Sequence, residues 1–462
     1  MKVRTALSRV SLIALLVSGL GACATIDIAP ANRPTVLPAI TQSNTVGGDD
    51  TLRTTIVGLA FSGGGMRASA FSYGVLRGLD KVRVAGGGSM FDQVRFVSGV
   101  SGGSVTAAYL GLNGRGIMKD YEQRFLYRNA EEALRTEVYS VENIGRALDG
   151  GVNDRSGLPA WLKRNVFGDA TFRDFNRPGR PTVWINASDI SQKTPFIFEP
   201  VTFGAICSDL YTYPIAEAVA ASAAVPIVFK PVVVKSYADK CGFQLPSHFE
   251  DLAKRRDTSP NLRSYLNALK RYRDVKQVGF VKLLDGGLTD NWGLAGINVA
   301  IASAPEPFKP LTREDAVSLE RFIFVVVDSG RTLSGDWSQT LEGPTGSDLL
   351  EAVTGTAVDS AVRNSFEVLR LQMQAWEERL KTWRCALAPE DVERIRGSVE
   401  GWDCRKIEVV LDRVSFEDLD PAVQQRLDKI PTRFTLAPEE VKLAIDSGEA
   451  AALTVLSSRA GQ

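Results

Sequence analysis

A serine set among glycines, Gly99-Val100-Ser101-Gly102-Gly103, stands between the apolar run Val94 to Val97 and a helical pattern opening near Ser104. Glycines at 99 and 103 permit a tight strand-to-helix turn that lifts the Ser101 hydroxyl into the open, as a nucleophile requires. A second glycine run, Phe61-Ser62-Gly63-Gly64-Gly65-Met66-Arg67, has the same setting after a strand pattern and before a helical one. Backbone N–H groups around Gly63, Gly64 and Gly65, at the positive end of a helix, suit a developing oxyanion. Each such donor contributes about 3 kcal/mol in a transition state.

A serine nucleophile needs a base, and the usual one is histidine. The chain has one, His248, in a charged stretch with no strand ending before it. Asp285 is better placed, because the apolar run Val278 to Leu284 ends in Asp285-Gly286-Gly287. A carboxylate at a sheet edge serves as general base if it reaches the hydroxyl and burial raises its pKa. An Asp before two glycines is also an ordinary turn former, so position alone leaves both readings open. Gly63-x-Gly65-x-x-Ala68 also satisfies a dinucleotide-binding pattern. That pattern wants an acid at the end of the next strand, where this chain has Ser98-Gly99 instead. Nucleotide binding is therefore disfavoured.

Positioning these residues falls to strands followed by helices. Thr54 to Phe61, Val94 to Val97, Thr182 to Ile185, Val278 to Leu284, Phe322 to Val327 and Ile407 to Val410 read as strands. Ser69 to Leu79 reads as a helix, and Ser104 to Leu110 opens another. The alternation predicts a mainly parallel sheet with helices on both faces and function at the carboxyl strand ends. Residues 236–276 and 331–400 read as helical additions. In the first, Leu262, Tyr265, Leu266 and Leu269 share one face, which predicts a surface helix, with a membrane-contacting lid as the alternative. The second holds a long apolar-periodic segment, Leu349 to Trp383, that should pack on the body.

The first residues read as an export leader. Lys2, Arg4 and Arg9 precede an apolar run, Val10 to Leu20, far shorter than the roughly 20 residues a spanning helix needs. Leu20-Gly21-Ala22-Cys23 resembles the lipobox of bacterial lipoproteins, which implies cleavage after residue 22 and lipidation of Cys23. Ala24 follows, and by the same resemblance this favours the outer membrane within the cell envelope. Residues 23–50, rich in Pro, Thr, Asn and Gly, read as a lipidated start and flexible tether, and 51–462 as the catalytic body. An exported chain meets oxidising conditions, and Cys207, Cys241, Cys385 and Cys404 remain. Four cysteines allow three pairings. The nearest-neighbour one, 207 with 241 and 385 with 404, closes short loops and is preferred over free thiols.

The whole chain balances 54 Lys plus Arg against 54 Asp plus Glu, with 44% hydrophobic residues. That excludes a basic nucleic-acid scaffold, an acidic disordered tail and a multi-span membrane protein. Without residues 1–22, 51 basic residues face 54 acidic ones, a net charge of −3.

From Thr54 to Leu294 the chain resembles the patatin-like phospholipase family, through Gly-Gly-Gly-x-Arg at 63–67, Gly-x-Ser-x-Gly at 99–103 and Asp-Gly-Gly at 285–287. Ile185-Asn186-Ala187-Ser188-Asp189 and Ala221-Ser222-Ala223-Ala224-Val225-Pro226 are similar too, the latter a small-residue helix able to pack near the site. The resemblance implies a three-layer α/β/α fold and a Ser-Asp dyad that hydrolyses acyl esters of membrane lipids without metal or other cofactor. On this sequence Ser101 would be nucleophile and Asp285 base, with Gly63, Gly64, Gly65 and Arg67, the last at the motif's basic position, forming the oxyanion hole. Ala68 replaces the usual Gly, and Ser62 stands where plant members often carry Asp. A non-catalytic envelope lipoprotein that keeps the hydrolase fold as a binding module is the competing reading.

Overall fold

The computed structural model describes residues 27–35, 53–84, 87–135, 150–331 and 346–459, together with Arg146 and Leu341, and the side chains of 346–364 are not described. The predicted leader and Cys23 lie outside the described residues.

Eight strands form one sheet: β1 (Thr55–Phe61), β2 (Val94–Val100), β3 (Thr182–Asp189), β4 (Thr194–Ile197), β5 (Val232–Lys235), β6 (Phe280–Leu284), β7 (Arg321–Asp328) and β8 (Glu408–Ser415). Their order is β5-β6-β3-β2-β1-β7-β8, with β4 paired to β3 off that path. The pairs β3/β2, β2/β1, β1/β7 and β7/β8 are parallel. Every residue of β1 and β2 is buried, as expected of near-continuous apolar strands covered on both faces.

The helices that matter for the site are α1 (Gly65–Lys81), α2 (Gly102–Asn113), α3 (Ile215–Ser222), α4 (Ser247–Lys254), α5 (Pro260–Tyr272), α6 (Ala295–Ala302), α7 (Gly346–Cys385) and α8 (Pro438–Leu456). α1 carries the glycine loop and is backed by α8, from the far end of the chain. Their backbones all but touch: a Cβ on Gly74 would lie 2.0 Å from the Ile445 carbonyl oxygen, and one on Gly448 2.1 Å from that of Phe71. The C-terminal helix therefore fixes the angle at which α1 presents its N-terminus.

Three departures from the sequence reading have physical causes. β4, β5 and β6 run antiparallel to their partners, so the strand that delivers Asp285 is not part of the parallel set. Apolar periodicity reports which face is buried and carries no strand direction. β4 and β5 themselves are four residues each, too short to stand out, and β4 contains Pro195. Finally, residues 27–35, expected to be part of a free tether, are tied to the body. Asn32 is buried, donates to Ser208 Oγ (3.0 Å) and the Lys235 carbonyl (2.8 Å), and accepts from the Lys235 N–H (2.9 Å). Thr35 N–H donates to the Cys207 carbonyl (2.9 Å). A run without apolar periodicity still docks here because its polar groups pair edge to edge with β5 and the loop at 207–209.

Cys207 is bonded to Cys241 and Cys385 to Cys404. The first addition docks on the body through the face read from sequence: Leu262, Tyr265, Leu266 and Leu269 of α5 are buried, with Tyr272. Tyr265 donates to Glu199 (2.5 Å) and Tyr272 to Asp189 (2.7 Å), so the face that a lid would offer a membrane is spent on the protein itself. The segment predicted over Leu349 to Trp383 lies within α7. Among the described residues no helix is long and apolar enough to cross a membrane.

Candidate active site

The sheet register brings the two chemical side chains together. Val100 pairs with Asn186 of β3, and Leu284 pairs with Ser188 from the opposite side of the same strand. The next residues of β2 and β6, Ser101 and Asp285, therefore arrive on either side of Ala187. Ser101 has φ 51° and ψ −123°, a conformation that non-glycine residues rarely adopt, in the turn before α2. Such strain persists where the surroundings over-determine it. Here they do: the Ser101 N–H donates to Ser222 Oγ (2.9 Å), Ser222 donates to the Asn186 carbonyl (2.6 Å), and Ser104 donates to the Ser101 carbonyl (2.6 Å).

Asp285 is held by the same scaffold. Its N–H donates to the Ala224 carbonyl (2.9 Å), and the Gly286 N–H donates to that of Ser222 (3.0 Å), so the end of α3 positions both residues. The Asp285 carboxylate is buried and accepts a hydrogen bond from the Gly287 N–H (2.8 Å), with the Ser101 hydroxyl near enough to favour its charged form. Burial pushes its pKa up to about 6, and the Gly287 N–H and the nearby Ser101 hydroxyl hold it from rising further. It is thus ionised at neutral pH yet much more basic than an exposed aspartate.

The glycine loop abuts this pair. A Cβ on Gly63 would lie 3.4 Å from Ser101 Cβ, and one on Gly102 only 1.9 Å from the Gly65 carbonyl oxygen. Ser69 closes the junction, donating to the carbonyls of Gly102 (2.7 Å) and Gly65 (3.2 Å). Gly64 and Gly65 have φ 136° and 62°, and in this conformation their N–H groups, with that of Gly102, make no hydrogen bond to described residues. These three donors are therefore unpaired among the described residues. We expect Gly102→Ala to destabilise the protein by about 1–3 kcal/mol and to abolish whatever reaction the site performs, because the added methyl strikes rigid backbone. A melting curve and an esterase assay check this together.

Two members of the expected oxyanion set are corrected. The Gly63 N–H is already engaged, donating to the Asn291 carbonyl (2.9 Å). Arg67 is buried, and its guanidinium donates to the carbonyls of Ser329 (3.2 and 3.3 Å) and Ile430 (2.5 Å), so it clamps two loops beneath α1 and does not face the reacting atoms. Gly99 and Gly103 are where the turn needs them: a Cβ on Gly103 would lie 2.5 Å from the carbonyl oxygens of Phe61 and Ser62. His248 sits on α4 beside Phe249, facing the charges of Asp251 and Glu306, and burial lowers its pKa. Among the described residues no cluster of three His, Cys, Asp or Glu side chains could hold a metal ion.

Three contributors went unassigned in the sequence. Ser222 and Asn186 lay in stretches noted only for their similarity, yet Ser222 links the elbow to β3. Asn186 donates to Ser98 Oγ (2.8 Å), which donates to the Gly293 carbonyl (2.6 Å). Asn291 gives its carbonyl to Gly63 and sets its side-chain Oδ1 between Gly63 and Gly287. Nothing local marks it, because the group its carbonyl holds, the Gly63 N–H, lies 228 residues earlier in the chain.

With this geometry in place, comparison with known proteins gives the family. Residues 59–298, just over half of the chain, match the model of the patatin-like phospholipase family. The chain belongs to the patatin-like phospholipase family. No curated protein matches the sequence. Among solved structures it is similar to the human GIVD cytosolic phospholipase A2, with 14% identity and a TM-score of 0.40, covering 88% of this chain and 62% of that one. It is also similar to the same protein in complex with methyl gamma-linolenyl fluorophosphonate and terbium chloride, with 15% identity and a TM-score of 0.36, covering 88% and 58%. The chain thus spans less than two thirds of the length of those proteins.

Proposed function

We propose that this patatin-like protein is a serine acyl hydrolase that cleaves acyl esters of membrane lipids through a Ser101–Asp285 dyad and an acyl-enzyme. The observation that carries the reading is the strained Ser101 set beside a buried carboxylate, that of Asp285, whose pKa burial pushes up to about 6. Asp285 takes the Ser101 proton as Oγ attacks the ester carbonyl, and the charge developing on the carbonyl oxygen meets the N–H groups of Gly64, Gly65 and Gly102. The tetrahedral intermediate then collapses: the carbon–oxygen bond to the leaving alcohol breaks, and Asp285 returns the proton to that oxygen. Water, deprotonated by the same carboxylate, attacks the acyl-enzyme, and the fatty acid leaves as Ser101 regains its proton. With the predicted lipobox, the enzyme would be anchored through Cys23 in the cell envelope, on the outer membrane, with its substrate in the same bilayer.

A base of this kind gives a definite pH profile. Asp285 must be ionised to accept the proton, so kcat/KM should be level above about pH 7 and fall tenfold per pH unit below about pH 6. A profile with no inflection between pH 5 and 7 contradicts the base assignment. The reading as a whole is tested by mass spectrometry of native envelope lipids incubated with wild-type protein or Ser101→Ala. Free fatty acid released only by the wild type is the expected result. Equal, background release by both favours a binding module that keeps the fold without turnover.

A further inference from the structure

The side chain of Asn291 reaches the catalytic pair. A Cβ on Gly63 would lie 2.4 Å from Asn291 Oδ1 and 3.4 Å from Ser101 Cβ. One on Gly287 would lie 2.8 Å from Asn291 Oδ1 and 3.1 Å from Asp285 Oδ1. Asn291 Oδ1 is therefore no more than about 6 Å from both Ser101 Cβ and Asp285 Oδ1, a gap that one water hydrogen-bonded at each end can fill. The Asn291 amide makes no hydrogen bond to a described residue, and it is half-buried without being sealed from solvent. The backbone that carries it is fixed. Its carbonyl accepts the Gly63 N–H (2.9 Å), Asp290 before it accepts the Ala295 N–H (2.6 Å), and the Gly293 carbonyl after it accepts Ser98 Oγ (2.6 Å). A polar group held this firmly and left unpaired is ready for a molecule that enters the site.

The two halves of the reaction make different demands here. In acylation the nucleophile is Ser101 Oγ, already placed by its covalent bond and by the elbow, so Asp285 is the one further group it needs. In deacylation the nucleophile is a free water. Asp285 can take one of its protons, but a water held by a single O–H still turns about that bond. A second acceptor for the other O–H leaves a lone pair facing the acyl carbon. A carboxamide oxygen suits this place. It accepts a hydrogen bond, is too weakly basic to take the proton, and carries no charge that would oppose ionisation of Asp285.

We propose that Asn291 is a third catalytic residue, whose side-chain oxygen holds the hydrolytic water between itself and Asp285 in the deacylation step. The water oxygen bonds to the acyl carbon as one of its O–H bonds breaks. That proton passes to Asp285, and the carbonyl electron pair moves onto the carbonyl oxygen. When the tetrahedral intermediate collapses, the bond from the acyl carbon to Ser101 Oγ breaks and Oγ takes the proton back from Asp285. Asn291 accepts a hydrogen bond from the other O–H throughout, and its own bonding and charge do not change. This role rests on the hydrolase reading above.

The test is stopped-flow mixing of the full-length protein with p-nitrophenyl butyrate, with acylation of Ser101 read by intact mass. In Asn291→Ala, which keeps the backbone carbonyl that holds Gly63, acylation should stay within about threefold of the wild-type rate while deacylation slows about a hundredfold. A burst of one nitrophenolate per protein should then precede slow turnover, with the butyryl group found on Ser101. Asn291→Asp keeps the acceptor oxygen and sets a like charge near Asp285, which disfavours ionisation of the base. Its deacylation at pH 9 should come within about tenfold of the wild type, and the midpoint of its pH profile should lie above the wild-type one. Equal slowing of both steps in Asn291→Ala, as a displaced glycine loop would give, or slowing of neither, would overturn the proposal and leave the hydrolase reading standing. An unshifted midpoint in Asn291→Asp would overturn it as well, whether or not Asn291→Ala folds. Failure of the wild type to acylate at Ser101 would overturn both.

Discussion

Asp285→Asn is expected to lower kcat about a thousandfold and, at pH 8, to make the protein more stable. The first effect follows from removing the general base while leaving its shape and the hydrogen bond from Gly287 in place, since an amide oxygen still accepts. The second follows from linkage. Burial pushes the folded-state pKa of Asp285 up to about 6 from its ordinary 3.8. The folded protein therefore holds this proton more tightly than the unfolded chain does. Stability falls as pH rises from about 4 to about 6 and stays lower above that, by about 3 kcal/mol for this one group. Asn carries no charge and escapes that cost. Denaturant unfolding at pH 8 should show the variant more stable by up to about 3 kcal/mol, and at pH 4 nearly equal to the wild type. A variant that loses activity and also unfolds more easily at pH 8 would mean that the carboxylate is structural.

Ser101→Gly carries the second large effect, again with activity and stability moving in opposite directions. Turnover should fall about 10⁵-fold or more, because the nucleophile is gone while the oxyanion donors remain. Relief of the φ 51° strain, worth about 1–3 kcal/mol, outweighs the extra chain entropy of glycine, about 0.5–1 kcal/mol. The two hydrogen bonds that pin residue 101 use its backbone N–H and carbonyl, so both survive the change. A rise of about 1 kcal/mol in unfolding free energy is expected. Ser101→Ala separates the two contributions, since it loses the same activity but keeps the Cβ that makes the conformation costly.

Both predictions describe a site that spends stability to hold a hydroxyl and a carboxylate ready. Ser222 shows how it is done. Its side chain binds the elbow on one side and β3 on the other, while its carbonyl holds Gly286. One small residue at the end of α3 thus couples the strained serine to the buried acid.

How much of this was legible in the sequence depended on how local each signal was. The elbow at 99–103 and the loop at 63–65 were readable because a glycine between a strand and a helix has few other uses. The end of an apolar run marks Asp285 as a candidate but leaves a turn-forming role equally open, and the direction of that run relative to its neighbour is not legible. Periodicity marked which faces of β6 and α5 are buried but could not tell a parallel strand from an antiparallel one. The misreadings of Gly63 and Arg67 share one cause: their partners, the carbonyls of Asn291, Ser329 and Ile430, are supplied by chain 228 to 363 residues away. Backbone carbonyls carry no residue identity, so no motif could reveal that these donors were occupied. Asn32 was hidden for the same reason, since its place is set by Ser208 and Lys235 on the folded body.

The account turns on Ser101 being the nucleophile and Asp285 the group that activates it. The direct test is the rate and position of labelling by a fluorophosphonate ester, read by peptide mass spectrometry across pH 4.5 to 8. The account predicts a single adduct on Ser101, forming faster as pH rises with a midpoint near 6, and slowed at least about a hundredfold at every pH by Asp285→Asn. An adduct on another residue, or labelling of Ser101 at the wild-type rate in Asp285→Asn, would contradict it.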